Sequence, residues 1–345
     1  MSKVRKILYP ISILYGEITK ARNKMFDKGV LKSIKFEIPV IVVGNLSVGG
    51  TGKTPQIEYL IRLLKDQYRV AVLSRGYKRK SKGFIIASNK ETAHTIGDEP
   101  FQYYKKFDDI IVAVDADRVN GIQQLKKIEN PPEVILLDDA FQHRKVAAGF
   151  NILLTSYNDL YVDDSMLPSG NLREKIEGAN RAQVIIVTKC PKKLDEREQY
   201  QIAAKLEPTL YQTVFFSTIE YDEVVKSNSS EMHIDELKDY EILLITGIAN
   251  PKPLCSFLKS KKLKFEHLEF PDHHNFTKKD FLDIRKKINK FNSTKKLILT
   301  TEKDFVRLNE NIDASYIEIR TKFLNHAQDF QKLIQNYVGE STRNS

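Results

Sequence analysis

Residues 43–55 read VGNLSVGGTGKTP, a glycine-rich turn between an apolar run and an amphipathic segment. Glycines in such a turn let the backbone direct N–H groups toward an anion and approach it closely, and a helix beginning at the turn adds the positive end of its dipole. The stretch matches the P-loop pattern G-x-x-x-x-G-K-[ST] at its end, with Ser47 in place of the first glycine. It predicts a site for the phosphates of a nucleoside triphosphate, formed by Ser47, Val48, Gly49, Gly50, Thr51, Gly52, Lys53 and Thr54.

Lys53 and Thr54 have distinct expected roles in this loop. In a P-loop the lysine reaches the β- and γ-phosphates, and the hydroxyl that follows it holds Mg²⁺. The usual companion is a carboxylate at the end of a second buried strand. Asp138 and Asp139 directly follow the apolar residues 134–137 and suit that role. The alternative is that the pair caps a helix at the end of the strand; we favour metal binding because of the P-loop upstream.

The elements that must position these residues follow from periodicity. Apolar runs typical of strands covered on both faces occur at residues 39–43, 69–73, 110–114, 134–138, 151–155 and 184–188. Between the first two runs, Ile57, Leu60, Ile61 and Leu64 have the spacing of one helical face. Alternation of strand and helix predicts an α/β fold: a parallel sheet of the P-loop NTPase type, flanked by helices.

The pattern weakens after residue 208. Residues 212–221 read as a long exposed strand, and a second α/β stretch begins at residue 240. We therefore predict a P-loop domain over residues 1–205, a strand-like linker over 206–238 and a smaller α/β domain over 239–345. Residues 252–303 hold fourteen Lys or Arg against six acids, which favours a solvated basic surface on the second domain.

Composition narrows the functional class. The chain has 345 residues, a net charge of +10, 41% hydrophobic and 29% charged residues, which excludes a disordered, fibrous or multi-span membrane protein. Two distant cysteines suggest neither a disulfide framework nor a zinc site. The positive charge favours anionic partners. Basic residues are not interleaved with aromatic ones in a recognisable module, so no nucleic acid is expected.

The N-terminal segment has a basic and apolar composition. Residues 1–35 contain nine Lys or Arg against two acids, around an apolar stretch at residues 7–15 that is too short to span a bilayer. Such a segment could lie in a membrane interface, attracted by anionic lipid. Taken alone, the segment favours slightly the alternative, a helix packed on the core with a solvated basic face.

Further polar clusters fall at the carboxyl ends of the predicted strands, where α/β sheets bind ligands. Together with the P-loop they form nine short motifs in order along the chain, at residues 44–45, 49–55, 74–77, 97–100, 138–144, 167–174, 246–251, 270–274 and 301–304. This set resembles the tetraacyldisaccharide 4'-kinases, the membrane-associated kinases of lipid A biosynthesis. The resemblance covers nearly the whole chain. Against a guanine-specific protein, Pro191 stands where the base-reading carboxylate should follow Thr188 and Lys189.

The resemblance implies transfer of the γ-phosphate of ATP to the 4'-hydroxyl of a tetraacylated disaccharide 1-phosphate, giving lipid IVA. ATP and Mg²⁺ are the implied cofactors, with Glu174 a third carboxylate near the metal. It points to Asp98 as the base for the acceptor hydroxyl, working with His273 or His274, of which we favour His274. The implied catalytic residues are thus Lys53, Asp98, Asp139, His143 and His274.

Roles for four side chains are less constrained. His143 and Arg144 suit either a phosphate or aspartate contact or hydrogen bonding at a helix start. Arg75 and Arg173 are candidates for substrate phosphate, because a guanidinium fork matches phosphate geometry.

The implied substrate also bears on location. A lipid with four acyl chains stays in the bilayer, so the resemblance favours membrane contact for the segment near residues 7–15. It implies a peripheral protein on the cytoplasmic face of the inner membrane, bound to its anionic surface, with no obligate protein partner. Two rival readings stay open: a P-loop kinase or ATPase with a soluble acceptor, and a nucleotide-dependent switch.

Overall fold

The computed structural model describes residue 5, residues 7–308 and residues 311–343. Lys3 and Lys6 of the basic N-terminal segment lie outside them, as do the outer ends of the two predicted domains. The helices are α1 (Tyr9–Asp27), α2 (Lys53–Leu64), α3 (Ala93–Ile96), α4 (Asp98–Lys106), α5 (Arg118–Leu125), α6 (Glu196–Lys205), α7 (Lys252–Ser260), α8 (Lys278–Asn289), α9 (Glu302–Leu308) and α10 (Ala327–Arg343).

The strands are β1 (Ile34–Lys35), β2 (Val40–Asn45), β3 (Val70–Ser74), β4 (Ile85–Ile86), β5 (Ile111–Val114), β6 (Val134–Asp138), β7 (Val146–Ala147), β8 (Phe150–Ser156), β9 (Val184–Thr188), β10 (Thr213–Lys226), β11 (Glu231–His233), β12 (Glu241–Thr246), β13 (Phe265–Glu269), β14 (Lys296–Thr301) and β15 (Ser315–Phe323). Each apolar run predicted as a strand in the first half forms one, and the predicted parallel α/β sheet is confirmed.

One sheet runs through most of the molecule. Its order is β13-β12-β14-β15-β10-β9-β8-β2-β6-β3-β5-β4, with β11 paired to β10. From β9 to β5 neighbouring strands are parallel, and β2, which leads into the P-loop, lies between β8 and β6. The strands of this half are buried on both faces, which explains their unbroken apolar composition.

Strand β10 joins the two halves of the sheet. Its residues 213–216 pair in parallel with β9, and its later residues pair antiparallel with β15. The expectation of an exposed strand is wrong, because Phe215 and Phe216 are buried. Since β15 runs antiparallel to β10 and parallel to β14 and β12, the strands of the second half direct their carboxyl ends toward the carboxyl edge of the first. Loops from both halves therefore meet there.

The C-terminal helix packs on the first half. Phe330, Ile334 and Val338 of α10 are fully buried in one cluster with the apolar face of α2. The Tyr337 hydroxyl accepts from the Val40 amide at 3.1 Å and donates to its carbonyl at 3.2 Å. Helix α10 thus lies within the range predicted for the smaller domain but packs on the other half. The domain boundaries at residues 205 and 239 stay a prediction.

Helix α1 has one buried and one exposed face. Ser12, Gly16 and Phe26 face inward, and Ser12 Oγ accepts from the amide of Ser169 at 2.9 Å. Large apolar side chains line the outer face, spaced as one helical stripe: Ile11, Leu14, Ile18 and Met25 are between 40% and 63% exposed. Within the described part of the chain, no helix combines the length and apolar character needed to cross a membrane.

Candidate active site

The glycine-rich loop lies between β2 and the first residue of α2, Lys53. Gly49 and Gly52 have φ of 117° and 84°, a left-handed region that favours glycine. The segment after residue 170 braces the loop: the Val48 amide donates to the Asn171 carbonyl at 2.8 Å. Thr188 Oγ1 donates to the Thr51 carbonyl at 2.8 Å. All the residues predicted to bind phosphate thus belong to one loop and helix start, at the carboxyl end of a central strand.

Lys53 lies between two oxygens at this edge. Its Nζ is 3.3 Å from Asn45 Oδ1 and 3.5 Å from Asp139 Oδ1. Lys189, on the loop after β9, donates to the Gly50 carbonyl. Two lysines therefore border the space where phosphates would lie, which makes the loop suited to polyanions.

The paired aspartates end β6, next to β2. Asp138 is buried, and its Oδ2 accepts from the Tyr103 hydroxyl at 3.4 Å. Asp139 has φ of 49°, and its carboxylate accepts from Arg173 Nη1 at 3.0 and 3.1 Å. Arg173, predicted as a phosphate ligand, thus contacts a carboxylate here, whereas Arg75 is exposed at the same edge.

The surroundings shift the pKa values of the two carboxyl groups in opposite directions. Burial, with the charges of Asp139 and Glu99, raises the pKa of Asp138 to about 7. Burial also acts to raise the pKa of Asp139, but Lys53 and Arg173 outweigh it and the pKa is lowered. A cation added between the aspartates would relieve the repulsion that raises the first pKa.

Thr54, Asp138 and Asp139 fit a Mg²⁺ ion. Their oxygens are the hard donors that Mg²⁺ prefers, and Mg²⁺ is usually bound through one or two carboxylates together with substrate phosphates. Within the described residues there is no group of three or more His, Cys, Asp or Glu suited to a metal. The ion would therefore need oxygens from the nucleotide as well as from these residues.

Glu174 lies in a different network from the one predicted. Arg181 Nη2 and Gln142 Nε2 donate to its Oε1 at 2.8 and 2.9 Å, and Asn23 Nδ2 donates to its Oε2 at 2.8 Å. Both carboxylate oxygens already accept from nitrogen. Glu174 therefore ties α1 to the loop that contains it, and its role as a third carboxylate near the metal stays a prediction.

The described contacts of His143 and Arg144 are with residues outside the phosphate loop. His143 Nε2 is 4.0 Å from Asp117 Oδ1, and burial, with the charge of Arg118, lowers its pKa to about 4. Arg144 donates to Asp27 and to the Asn23 carbonyl of α1. Because Asn23 and Asp27 lie in the last residues of α1, the contacts of Arg144 correspond to neither of its two predicted roles.

A second cluster forms where the two halves of the sheet meet. Asp98, the first residue of α4, has Oδ2 3.3 Å from His273 Nδ1 and 3.1 Å from Arg307 Nη2. Lys303 Nζ is 2.9 Å from His273 Nε2. The histidine beside Asp98 is His273, whereas the sequence analysis favoured His274.

His274 contacts residues that are close to it in the sequence. Its Nε2 is 3.0 Å from Asp280 Oδ2 at the start of α8, and its ring stacks on Phe270 at 4.7 Å. The pair separates because His273 adopts φ of 57°, which turns neighbouring side chains in different directions. No signal in the sequence distinguishes the two residues.

Cations hold Asp98 in its ionised form. Burial favours a higher pKa, but hydrogen bonding to His273 and the charges of Arg307 and Lys303 outweigh it, so the pKa is lowered. Sequence reasoning missed Arg307, Lys303 and Tyr103. Tyr103 lies five residues after Asp98 on α4, a spacing that does not put the two side chains on one helical face, so no sequence pattern points to it.

Comparisons with known proteins show to which family the chain is similar. A model of the LpxK family, tetraacyldisaccharide-1-P 4'-kinase, matches residues 4–339. A tetraacyldisaccharide 4'-kinase of Flavobacterium johnsoniae is 55% identical over 99% of both chains, and that of Bacteroides thetaiotaomicron is 46% identical over 99% of this chain and 96% of the other.

A solved structure gives the same result. It is described as the "apo" form of LpxK from Aquifex aeolicus in complex with ATP, and it matches with a TM-score of 0.78 and 34% identity over 97% of this chain and 99% of that chain. The predicted resemblance is confirmed over the whole length. The chain belongs to the tetraacyldisaccharide 4'-kinase family.

Proposed function

We propose that this chain transfers the γ-phosphoryl group of ATP to the 4'-hydroxyl of a tetraacylated glucosamine disaccharide 1-phosphate. The proposal rests on family membership and is carried in the structure by the Asp98–His273 pair, formed between the two halves of the sheet. A phosphate loop alone would support any nucleotide-binding protein. A carboxylate–imidazole pair beside it supplies what a hydroxyl acceptor needs.

The phosphate loop and its neighbours would hold the nucleotide. Loop amides and Lys53 would bind the phosphates, and Mg²⁺ held by Thr54, Asp138 and Asp139 would neutralise charge on them. Arg173, now on Asp139, is close enough to this group to help fix the carboxylate. The residues thereby supply the positioning and electrostatic stabilisation on which phosphoryl transfer depends.

Asp98 would accept or orient the proton of the acceptor hydroxyl. Its lowered pKa keeps it ionised at neutral pH, and His273 fixes its orientation. Asp98 and Tyr103 lie on one helix, about 7–8 Å apart along its axis. Since Tyr103 contacts Asp138, helix α4 links the proposed base to the proposed metal site.

The exposed stripe on α1 fits a membrane-resident substrate. Ile11, Leu14 and Ile18 present apolar side chains outward, in a segment whose composition is basic. An interfacial helix of this kind lies in the headgroup region with its apolar face inward. We infer peripheral attachment to an anionic bilayer, on the cytoplasmic face where ATP is available.

The test is ATP consumption by the purified protein in detergent micelles, with and without the lipid acceptor. We expect Mg-ATP to be consumed only with the lipid and a bisphosphorylated product to accumulate. Lys53→Ala and Asp139→Ala should lose nearly all turnover. ATP binding without lipid phosphorylation would instead support a soluble acceptor or a nucleotide-dependent switch.

A further inference from the structure

Helices α4 and α9 form an antiparallel pair that joins the two halves of the molecule at both ends. At one end, Asp98 of α4 meets Arg307 of α9 at 3.1 Å. At the other end, Lys106, the last residue of α4, meets Glu302, the first residue of α9, at 2.8 Å. The first contact belongs to the candidate active site; the second lies outside it.

Lys106 is the centre of a buried charge cluster. Its Nζ is 2.8 Å from Glu58 of α2, 2.8 Å from Glu302 and 3.2 Å from Glu318 of β15. The Lys106 side chain is 9% exposed, so a change in its partners cannot be compensated by water. The cluster therefore restricts where α9 can lie relative to α2 and α4.

The other carboxylates of the cluster have further partners. Arg62 and Gln102 contact Glu58 at 3.1 and 2.9 Å, and Lys226 contacts Glu318 at 2.9 Å. Among the described contacts of Glu302, the ion pair is with Lys106 alone. The Lys106–Glu302 contact is thus the one that specifically ties α9 to α4 at this end.

Placement of α9 matters because two of its side chains face the Asp98–His273 pair. Lys303 Nζ is 2.9 Å from His273 Nε2, and Arg307 donates to the His274 carbonyl at 3.0 Å while contacting Asp98. Lys303 lies next to Glu302 in the chain, so a shift of the start of α9 would move it directly.

We propose that Lys106 and Glu302 are positioning residues, whose contact holds α9 so that Lys303 and Arg307 meet His273 and Asp98. The inference rests on the proposed role of Asp98. The proposal gives the motif at residues 301–304 a function. The motif would hold the cations near the base in place, through a contact about two helical turns away from the base.

The test uses Glu302→Ala in the full-length protein, assayed with Mg-ATP and the lipid acceptor in micelles. Glu58 and Glu318 still neutralise Lys106 in this variant. We expect kcat to fall about tenfold with KM for ATP unchanged, because small displacements of reacting groups are costly. The acid limb of the kcat–pH profile should move to higher pH by about half a unit or more, because Asp98 loses nearby positive charge.

Two variants accompany it. Glu302→Gln keeps the side-chain volume and should give a smaller change in the same direction. Lys322→Ala, which breaks an exposed pair of 2.9 Å with Glu220 between β15 and β10, should leave both kcat and the profile unchanged.

Each other result overturns the proposal. Unchanged kcat and acid limb in folded Glu302 variants would do so. A fall in kcat with an unmoved acid limb, or failure of both variants to fold, would mean that the cluster is only structural. Activity retained by Asp98→Asn would instead remove the proposed base, which is a separate outcome.

Discussion

At the scale of single residues, we expect His273, and not the adjacent His274, to serve Asp98. His273→Gln should lower kcat about 10²-fold or more, since it removes the group that orients the carboxylate. His274→Gln should stay within a few-fold of the wild type, because its contacts are with Asp280 and Phe270. Steady-state kinetics with the lipid acceptor compare the matched pair; the reverse order of effects would exclude His273 as the partner.

His143 supports a prediction about stability. Its pKa of about 4 lies below the ordinary value, so the unfolded chain binds a proton that the folded chain does not between those two pH values. The free energy of unfolding should therefore fall as the pH drops from about 6.5 toward 4. His143→Asn should flatten this dependence by about 1–2 kcal/mol, allowing for partial exposure of the ring.

Urea denaturation at several pH values measures this difference. His326→Asn is a suitable control, because that imidazole is largely exposed and pairs with Asp329 on the surface. An identical slope for wild type and His143→Asn would show that the ring is not held neutral.

Sequence predicts the phosphate loop and the paired aspartates because local backbone geometry dictates their residue types. By contrast, the sequence predicts neither the partners of Glu174 nor which of the two histidines lies beside Asp98. The partners of Glu174 come from positions 23, 142 and 181, and that of His273 from position 98. Contacts between distant segments depend on how the chain folds back, which spacing along it does not encode.

At the scale of elements, α1 gives a prediction about membrane attachment. Ile11→Glu with Leu14→Glu should weaken binding to anionic phospholipid vesicles about tenfold or more, because two exposed apolar side chains no longer enter the interface. Thermal stability should be unchanged, since both side chains are more than half exposed.

Vesicle cosedimentation measures the effect. Leu210→Glu with Tyr211→Glu is the matched control: it makes the same change of charge at residues that are 99% and 90% exposed elsewhere. Equal binding by the two double variants would remove α1 as the membrane-attachment surface.

Elements of regular period are predicted well, and for β10 the sequence predicts the strand but not its burial. Apolar runs and the helical spacing in α2 reflect burial on known faces. Residues 212–221 combine the apolar residues 214–216 with the polar residues 212–213 and 217–218, a mixture that does not show which faces of the strand are covered. In the folded chain this strand lies between β9 and β15, which no local pattern reveals.

At the scale of the whole molecule, the C-terminal helix completes the core that supports the phosphate loop. Phe330→Ala should lower the free energy of unfolding by about 3–5 kcal/mol, because a fully buried aromatic side chain leaves a cavity beside α2. Leu333→Ala, on the exposed side of the same helix, should have little effect. Urea denaturation followed by circular dichroism, which needs no tryptophan, compares the two variants. Equal urea midpoints of unfolding would contradict this packing.

The arrangement of the two halves explains why the site forms where it does. Because the second set of strands directs its carboxyl ends at the first, loops carrying Asp98 and His273 meet although 175 positions separate them. The sequence motifs indicate that these residues matter. They come together because β15 runs antiparallel to β10.

The central claim is that the phosphate reaches the 4'-hydroxyl of the lipid. Phosphorus NMR of the purified product, with proton correlation to the sugar rings, tests it most directly. We expect a new phosphomonoester on the 4' position, formed by the wild type and absent with Lys53→Ala and Asp98→Asn. A diphosphate on the existing 1-phosphate, or a phosphate on another hydroxyl, would contradict the account.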